Sequence, residues 1–244
     1  MRILTSRFMR RITALCFACL FLLSPVRVSV VLPIQNDGQP HFSAEAIGAQ
    51  AVPQWTSLDL NGDGAAECVR DRDDVLSIDD CDAASAKVYW QSPAGWKVVQ
   101  WTFSDLNADG ATEITLLVWR PFAPWPTERD APNGGRLGSF HDAQGQSCHV
   151  ILIGWSKGTF NELWAGSALA KPILSLVAAD INGDGDQELV TVQGNYDQPA
   201  LFRSGPIAIW KWNGFGFDLI QTIAGSYRHL VLLERPQTWI IASQ

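Results

Sequence analysis

The chain has 244 residues, 47% of them hydrophobic, and a formal charge of −7. Its acidity argues against nucleic acid or an anionic membrane surface held by bulk electrostatics. The length suffices for one domain with a proper core.

Residues 1–29 hold five arginines (Arg2, Arg7, Arg10, Arg11, Arg27) and no acid. Ile12 to Leu23 is an uninterrupted apolar run closed by Ser24-Pro25, the layout of a secretory signal peptide. The run is short for a membrane span, although an uncleaved anchor is the second reading and a lipoprotein at Cys19 a third. No small-x-small site marks the end of the segment. The expected location is extracytoplasmic: secreted, periplasmic or on the cell surface. Within residues 30–54, Val30 to Gln35 and His41 to Ile47 flank a turn at Asn36-Asp37-Gly38 and read as two strands.

A nine-residue sentence then occurs three times: Asp59-Leu60-Asn61-Gly62-Asp63-Gly64-Ala65-Ala66-Glu67, Asp105-Leu106-Asn107-Ala108-Asp109-Gly110-Ala111-Thr112-Glu113, and Asp180-Ile181-Asn182-Gly183-Asp184-Gly185-Asp186-Gln187-Glu188. Oxygen side chains at positions 1, 3, 5 and 9 converge if the backbone curls, and glycine at position 6 permits the sharp turn. Hard oxygen donors in this number suit Ca²⁺ better than zinc or copper. An EF-hand is rejected, because position 12 is Arg70, Leu116 or Thr191 rather than a bidentate acid. The flanks are wrong for helices too. Glu113-Ile114-Thr115-Leu116-Leu117-Val118-Trp119 and Glu188-Leu189-Val190-Thr191-Val192 are apolar, partly β-branched runs of strand length. Each loop is therefore expected to join two strands.

Between the first two loops, Cys68 and Cys81 flank an acidic turn at Asp71-Arg72-Asp73-Asp74 and fit a disulfide across adjacent antiparallel strands. Cys148 is then the odd thiol, expected to be buried rather than reactive. The acids Asp71, Asp73, Asp74, Asp79, Asp80 and Asp82 read as a solvated face, with an additional weak cation site as the lesser reading. The step from Asp59 to Asp105 is that of one four-stranded unit. The step from Asp105 to Asp180 is longer, by too little for a second unit. The excess falls at residues 121–147, rich in Pro, Gly and charge, which reads as an inserted surface loop.

Within that loop Trp125 stands between Pro124 and Pro126, with Phe122 nearby. It is read either as an aromatic anchor for a partner or as a lid on the core. Aromatics around Gly-containing turns at Trp90–Trp96, Trp155–Phe160 and Trp212–Phe217 read as an outer hairpin in each unit. After the third unit, His229–Leu233 and Trp239–Ile241 resemble a fourth loop-flanking strand pair that has lost its loop.

A strand, an acidic nine-residue loop and a second strand, repeated, resembles the FG-GAP/VCBS repeats of integrin-like β-propellers. The resemblance implies an all-β fold: a small propeller of about four blades, with Ca²⁺ loops between the first two strands of three of them. Residues 55–244 would form the propeller and 30–54 would supply the strands that close the last blade. It also implies side-chain ligands from Asp59, Asn61, Asp63 and Glu67, from Asp105, Asn107, Asp109 and Glu113, and from Asp180, Asn182, Asp184 and Glu188. Ala65, Ala111 and Asp186 would add backbone carbonyls. The chain is shorter than the seven blades common in such propellers, and position 9 is Glu where Asp is commoner. The function implied is a secreted, non-catalytic calcium-binding module for adhesion to a protein or glycan. A propeller-based hydrolase or lyase acting on a polysaccharide or ester is the alternative, and a purely structural surface module the third. The catalytic inventory is thin: the four histidines are scattered, and no nucleophile elbow, P-loop or dinucleotide fingerprint occurs.

Overall fold

The computed structural model describes residues 28–31, 42–43, 55–82, 87–123, 140–198, 203–234 and 238–243. The apolar N-terminal run and Trp125, singled out from the sequence, lie outside the described residues. Among those described, every regular element is a strand, and the strands form four antiparallel sheets of four. In chain order these are β1 (Val28–Val31), β2 (Phe42–Ser43), β3 (Trp55–Leu58), β4 (Glu67–Arg72), β5 (Val75–Asp80) and β6 (Val88–Gln91). Next come β7 (Lys97–Ser104), β8 (Glu113–Pro121), β9 (Gln146–Ser156) and β10 (Thr159–Ala165). The remainder are β11 (Ile173–Ala179), β12 (Glu188–Gln193), β13 (Gly205–Trp212), β14 (Phe217–Tyr227), β15 (His229–Glu234) and β16 (Thr238–Ser243).

Three sheets are simple meanders, β3 to β6, β7 to β10 and β11 to β14. The fourth, ordered β15-β16-β1-β2, draws on both ends of the chain. There Val28 pairs with Ser243 and Val31 with Ile240. β1 thus begins inside the 1–29 stretch, so a cleavage that leaves β1 whole must fall before Val28. Of the runs expected at 30–35 and 41–47, the described residues are Val30–Val31 and Phe42–Ser43, and these pair with each other.

The second strands are apolar almost throughout because both their faces are covered. In β8, Ile114, Leu116 and Val118 pack with Val69, Leu76 and Ile78 of the first sheet. The intervening Leu117 packs on the other side with Leu176 and Leu189 of the third sheet. In β12, Leu189 faces the second sheet, while Val190 and Val192 pack with Leu230, Ile240 and Ala242 of the fourth. A two-residue period buried on both sides produces hydrophobic runs interrupted only by Thr115 and Thr191.

Polar side chains tie one sheet to the next. A bulge in β7 directly precedes Gln100, whose amide donates to Leu176 O (2.7 Å) and accepts from Leu176 N (2.9 Å). Ser175 Oγ accepts from Leu230 N at 3.0 Å, linking the third and fourth sheets.

One expected hairpin is corrected. Trp155–Phe160 and Trp212–Phe217 do turn within a sheet, from β9 to β10 and from β13 to β14. Trp90–Trp96 instead connects β6 to β7, crossing from the first sheet to the second. Trp90 and Trp96 pack in the core between those two sheets, a role available to a crossover as much as to a hairpin.

Candidate metal centre

Each repeated loop joins the first and second strands of its sheet: β3 to β4, β7 to β8, and β11 to β12. Position 2 anchors the loop, since Leu60, Leu106 and Ile181 are all buried. The acids organise the backbone in a repeated way. The position-1 carboxylate accepts from the N–H of the position-6 glycine: Gly64 to Asp59 at 2.9 Å, Gly110 to Asp105 at 3.0 Å, Gly185 to Asp180 at 3.0 Å. Asn at position 3 accepts from the N–H of position 5 in all three loops. Asp at position 5 accepts from the N–H of Ala65, Ala111 or Asp186 at position 7. The buried Glu at position 9 reaches back to the N–H of position 2: Leu60 at 2.8 Å, Leu106 at 2.8 Å, Ile181 at 3.1 Å.

This scaffold needs left-handed backbone twice. Position 6 is glycine with φ near 90° in each loop. Position 4 is also left-handed, and there the second loop carries Ala108 at φ 55° where the others have glycine.

The loops differ in how position 9 is satisfied. Asn61 and Asn182 donate their amides to Glu67 Oε1 and Glu188 Oε1, the second at 2.9 Å. Asn107 turns to Asp109 Oδ2 instead, at 3.0 Å. Glu113 Oε2 is left buried without a partner. A buried carboxylate oxygen lacking a donor is costly unless a cation or proton serves it. Burial, reinforced by the charges of Asp105 and Asp109 and partly offset by backbone donors, pushes the Glu113 carboxyl up to about 7. Asp105, Asp109 and Glu113 each offer an oxygen within 4.8 Å of the other two, a donor set that suits a hard divalent cation.

Glu67 and Glu188 are also raised, chiefly by burial. In the third loop a cation is already present as a side chain. Lys211 Nζ, from β13, contacts Asp184 Oδ2, Asp186 Oδ2 (3.5 Å) and Glu188 Oε1 (3.4 Å). Hydrogen bonding to Lys211 holds Asp184 below the usual carboxylate range, and Asp184 raises Lys211 in turn. Lys211 was not legible as part of the loop, because it is far along the chain and follows an ordinary strand pattern. Loops two and three also touch, since Gln187 Oε1 accepts from Asp105 N at 2.8 Å.

The other residues singled out are accounted for locally. Cys68 and Cys81 form a disulfide at the base of the first sheet. Cys148 is fully buried, and burial pushes its thiol up to about 12, so it is not a nucleophile at neutral pH. Asp73 and Asp74 make the β4–β5 turn, while Asp74 pairs with Lys97 and Asp79 with Arg70. Phe122 packs against His141, with ring centroids 5.1 Å apart, and its N–H bonds Gly145 O at 2.8 Å, closing the base of the inserted loop.

His149 lies within 2.8 Å of Ser147 Oγ and 3.0 Å of Gly166 O, a pairing the sequence reading missed. Both residues are buried, and burial depresses the imidazole to about 4. A cavity of about 420 Å³ lies beside Trp164, Trp210, Phe217, Leu169 and Lys171. Among the described residues, its lining contains no carboxylate and no imidazole.

No family model matches the chain, and neither does any curated protein.

Proposed function

We propose that the protein is a secreted, calcium-binding β-propeller of the FG-GAP/VCBS type, a non-catalytic module that adheres to a protein or glycan. The four sheets are its blades, and the pairing of β1 with β16 latches the ring. Ca²⁺ would be held by Asp105, Asn107, Asp109 and Glu113 in the second loop, with Ala111 offering its carbonyl. Asp59, Asn61, Asp63, Ala65 and Glu67 would do the same in the first. The third loop, Asp180 to Glu188, is built on the same scaffold.

The observation that carries this reading is the unpartnered buried oxygen of Glu113 inside the Asp105–Asp109–Glu113 cluster. A divalent ion there would neutralise three carboxylates and satisfy that oxygen. A non-catalytic role is favoured by where the acids are spent: loop scaffolds, ion pairs and turns, with none among the described residues that line the cavity beside Trp164. Extracytoplasmic placement draws on the Cys68–Cys81 bridge and the N-terminal apolar run.

Calorimetric titration with Ca²⁺ tests the metal half of the reading. Binding near 10⁻⁴ M is expected, weakened on the order of tenfold or more in Asp109→Ala. An array of glycans and surface proteins probed with and without EDTA tests the other half. Calcium-dependent capture supports the module, whereas polysaccharide or ester turnover would replace it with an enzyme.

A further inference from the structure

The three loops share one backbone scaffold, yet the residue facing each position-9 glutamate across the sheet is different every time. In the first sheet Glu67 pairs directly with Asp80. In the second, one step beyond the Ile114–Ile153 pair, Glu113 faces Gly154. In the third, one step beyond Leu189–Trp210, Glu188 faces Lys211. An acid, no side chain and a base thus stand at one structural position.

We propose that Lys211 is the resident cation of the third loop, so that this loop is complete without metal and excludes Ca²⁺, leaving the first two as the calcium sites. The inference rests on the calcium reading above and divides its sites. The ammonium group touches one oxygen each of Asp184, Asp186 and Glu188, the acids at positions 5, 7 and 9. A Ca²⁺ ion at that point would meet a positive charge a few ångströms away, and the lysine would have to withdraw from three carboxylates to admit it. The second loop cannot follow this pattern as it stands. Any side chain at Gly154 would begin 2.5 Å from Leu163 Cδ1 and 3.4 Å from Glu113 Cβ. There the facing position brings no cation to the glutamate, and Glu113 Oε2 lacks a donor among the described residues. The acid at position 7 also separates the loops. Asp186 stands where the others have Ala65 and Ala111, giving Lys211 one more carboxylate.

Equilibrium dialysis of the full chain against Ca²⁺ tests this. Wild type is expected to bind fewer than three ions, and Lys211→Met to bind one more than wild type. Lys211→Arg keeps the charge and gains none. Three ions in both wild type and Lys211→Met would overturn the proposal while leaving the calcium reading intact. A site gained by Lys211→Met over a wild type that binds nothing would support Lys211 and sink the calcium reading of the first two loops. No gain in Lys211→Met overturns the proposal in every case. Should that variant not fold, amine acetylation of wild type decides, read by peptide mass spectrometry. Lys211 should label more slowly than the exposed turn residue Lys157, equally with EDTA and with Ca²⁺. Labelling as fast as Lys157, or accelerated by Ca²⁺, would overturn it.

Discussion

Asn61 and Asn182 cap the glutamates of their own loops, while Asn107 turns to Asp109 and leaves Glu113 uncapped. That one side-chain choice separates a capped glutamate from an uncapped one. Burial gives position 9 a role besides that of ligand, because Glu113 holds the Leu106 N–H inside the core. The roles are expected to come apart in mutants. Glu113→Ala should cost about 2 kcal/mol even in EDTA, by orphaning that donor, whereas Asp109→Ala should cost little in EDTA but remove the calcium response of its own loop, roughly half of the total. Urea unfolding with and without Ca²⁺ would show the split, and equal losses in EDTA would contradict it. His149 supplies a pH test. Burial lowers its folded pKa to about 4 from an ordinary 6.5, so the unfolded chain takes up a proton first as pH falls. Its stabilising contribution is present above pH 6.5 and is lost as pH drops through 4. Between pH 6.5 and 5 wild type should lose roughly 1.5 kcal/mol that a folded His149→Gln variant does not lose.

At the scale of elements, strands were legible wherever both faces are buried, as in Ile114–Val118 and Leu189–Val192, because such runs are apolar but for one buried, hydrogen-bonded threonine each, Thr115 and Thr191. The loops were legible because their ligands are local in sequence. What failed was of two kinds. Trp90–Trp96 looks like Trp155–Phe160, since packed aromatics serve a crossover and a hairpin equally. Lys211 enters its loop from a strand whose register the sequence does not state. The Cys68–Cys81 bridge spans 13 residues and joins β4 to the end of β5. Replacing both by serine should lower stability by roughly 2–4 kcal/mol, measured as a lower melting temperature equal to that of reduced wild type. The β8–β9 ladder runs to Pro121–Gln146, and Phe122 N–H closes on Gly145 O below the inserted loop. Replacing residues 124–139 by a short Gly-Ser turn should therefore shift melting by only a few degrees. A collapse in stability would mean that Trp125 is a lid after all, and unchanged melting with lost partner capture would make it an anchor.

For the whole molecule, the pairing of β1 with β16 joins two segments at opposite ends of the sequence. The short N-terminal runs hinted at this pairing, but its register and the start at Val28 did not show in their composition. A chain beginning after Ser43 would expose the β16 edge and is expected to melt lower and self-associate in light scattering. The proposed metal would act on the same scale, because the repeated loops sit where β3, β7 and β11 turn into the second strands of their sheets. At 5 mM Ca²⁺ and a dissociation constant near 10⁻⁴ M, each occupied loop adds about 2 kcal/mol by linkage. The most direct measurement is the melting temperature of the protein in 5 mM Ca²⁺ against EDTA, alongside Asp109→Ala. An upward shift of about 10 °C for two sites is expected, roughly halved in Asp109→Ala; identical curves in Ca²⁺ and EDTA would contradict the calcium account.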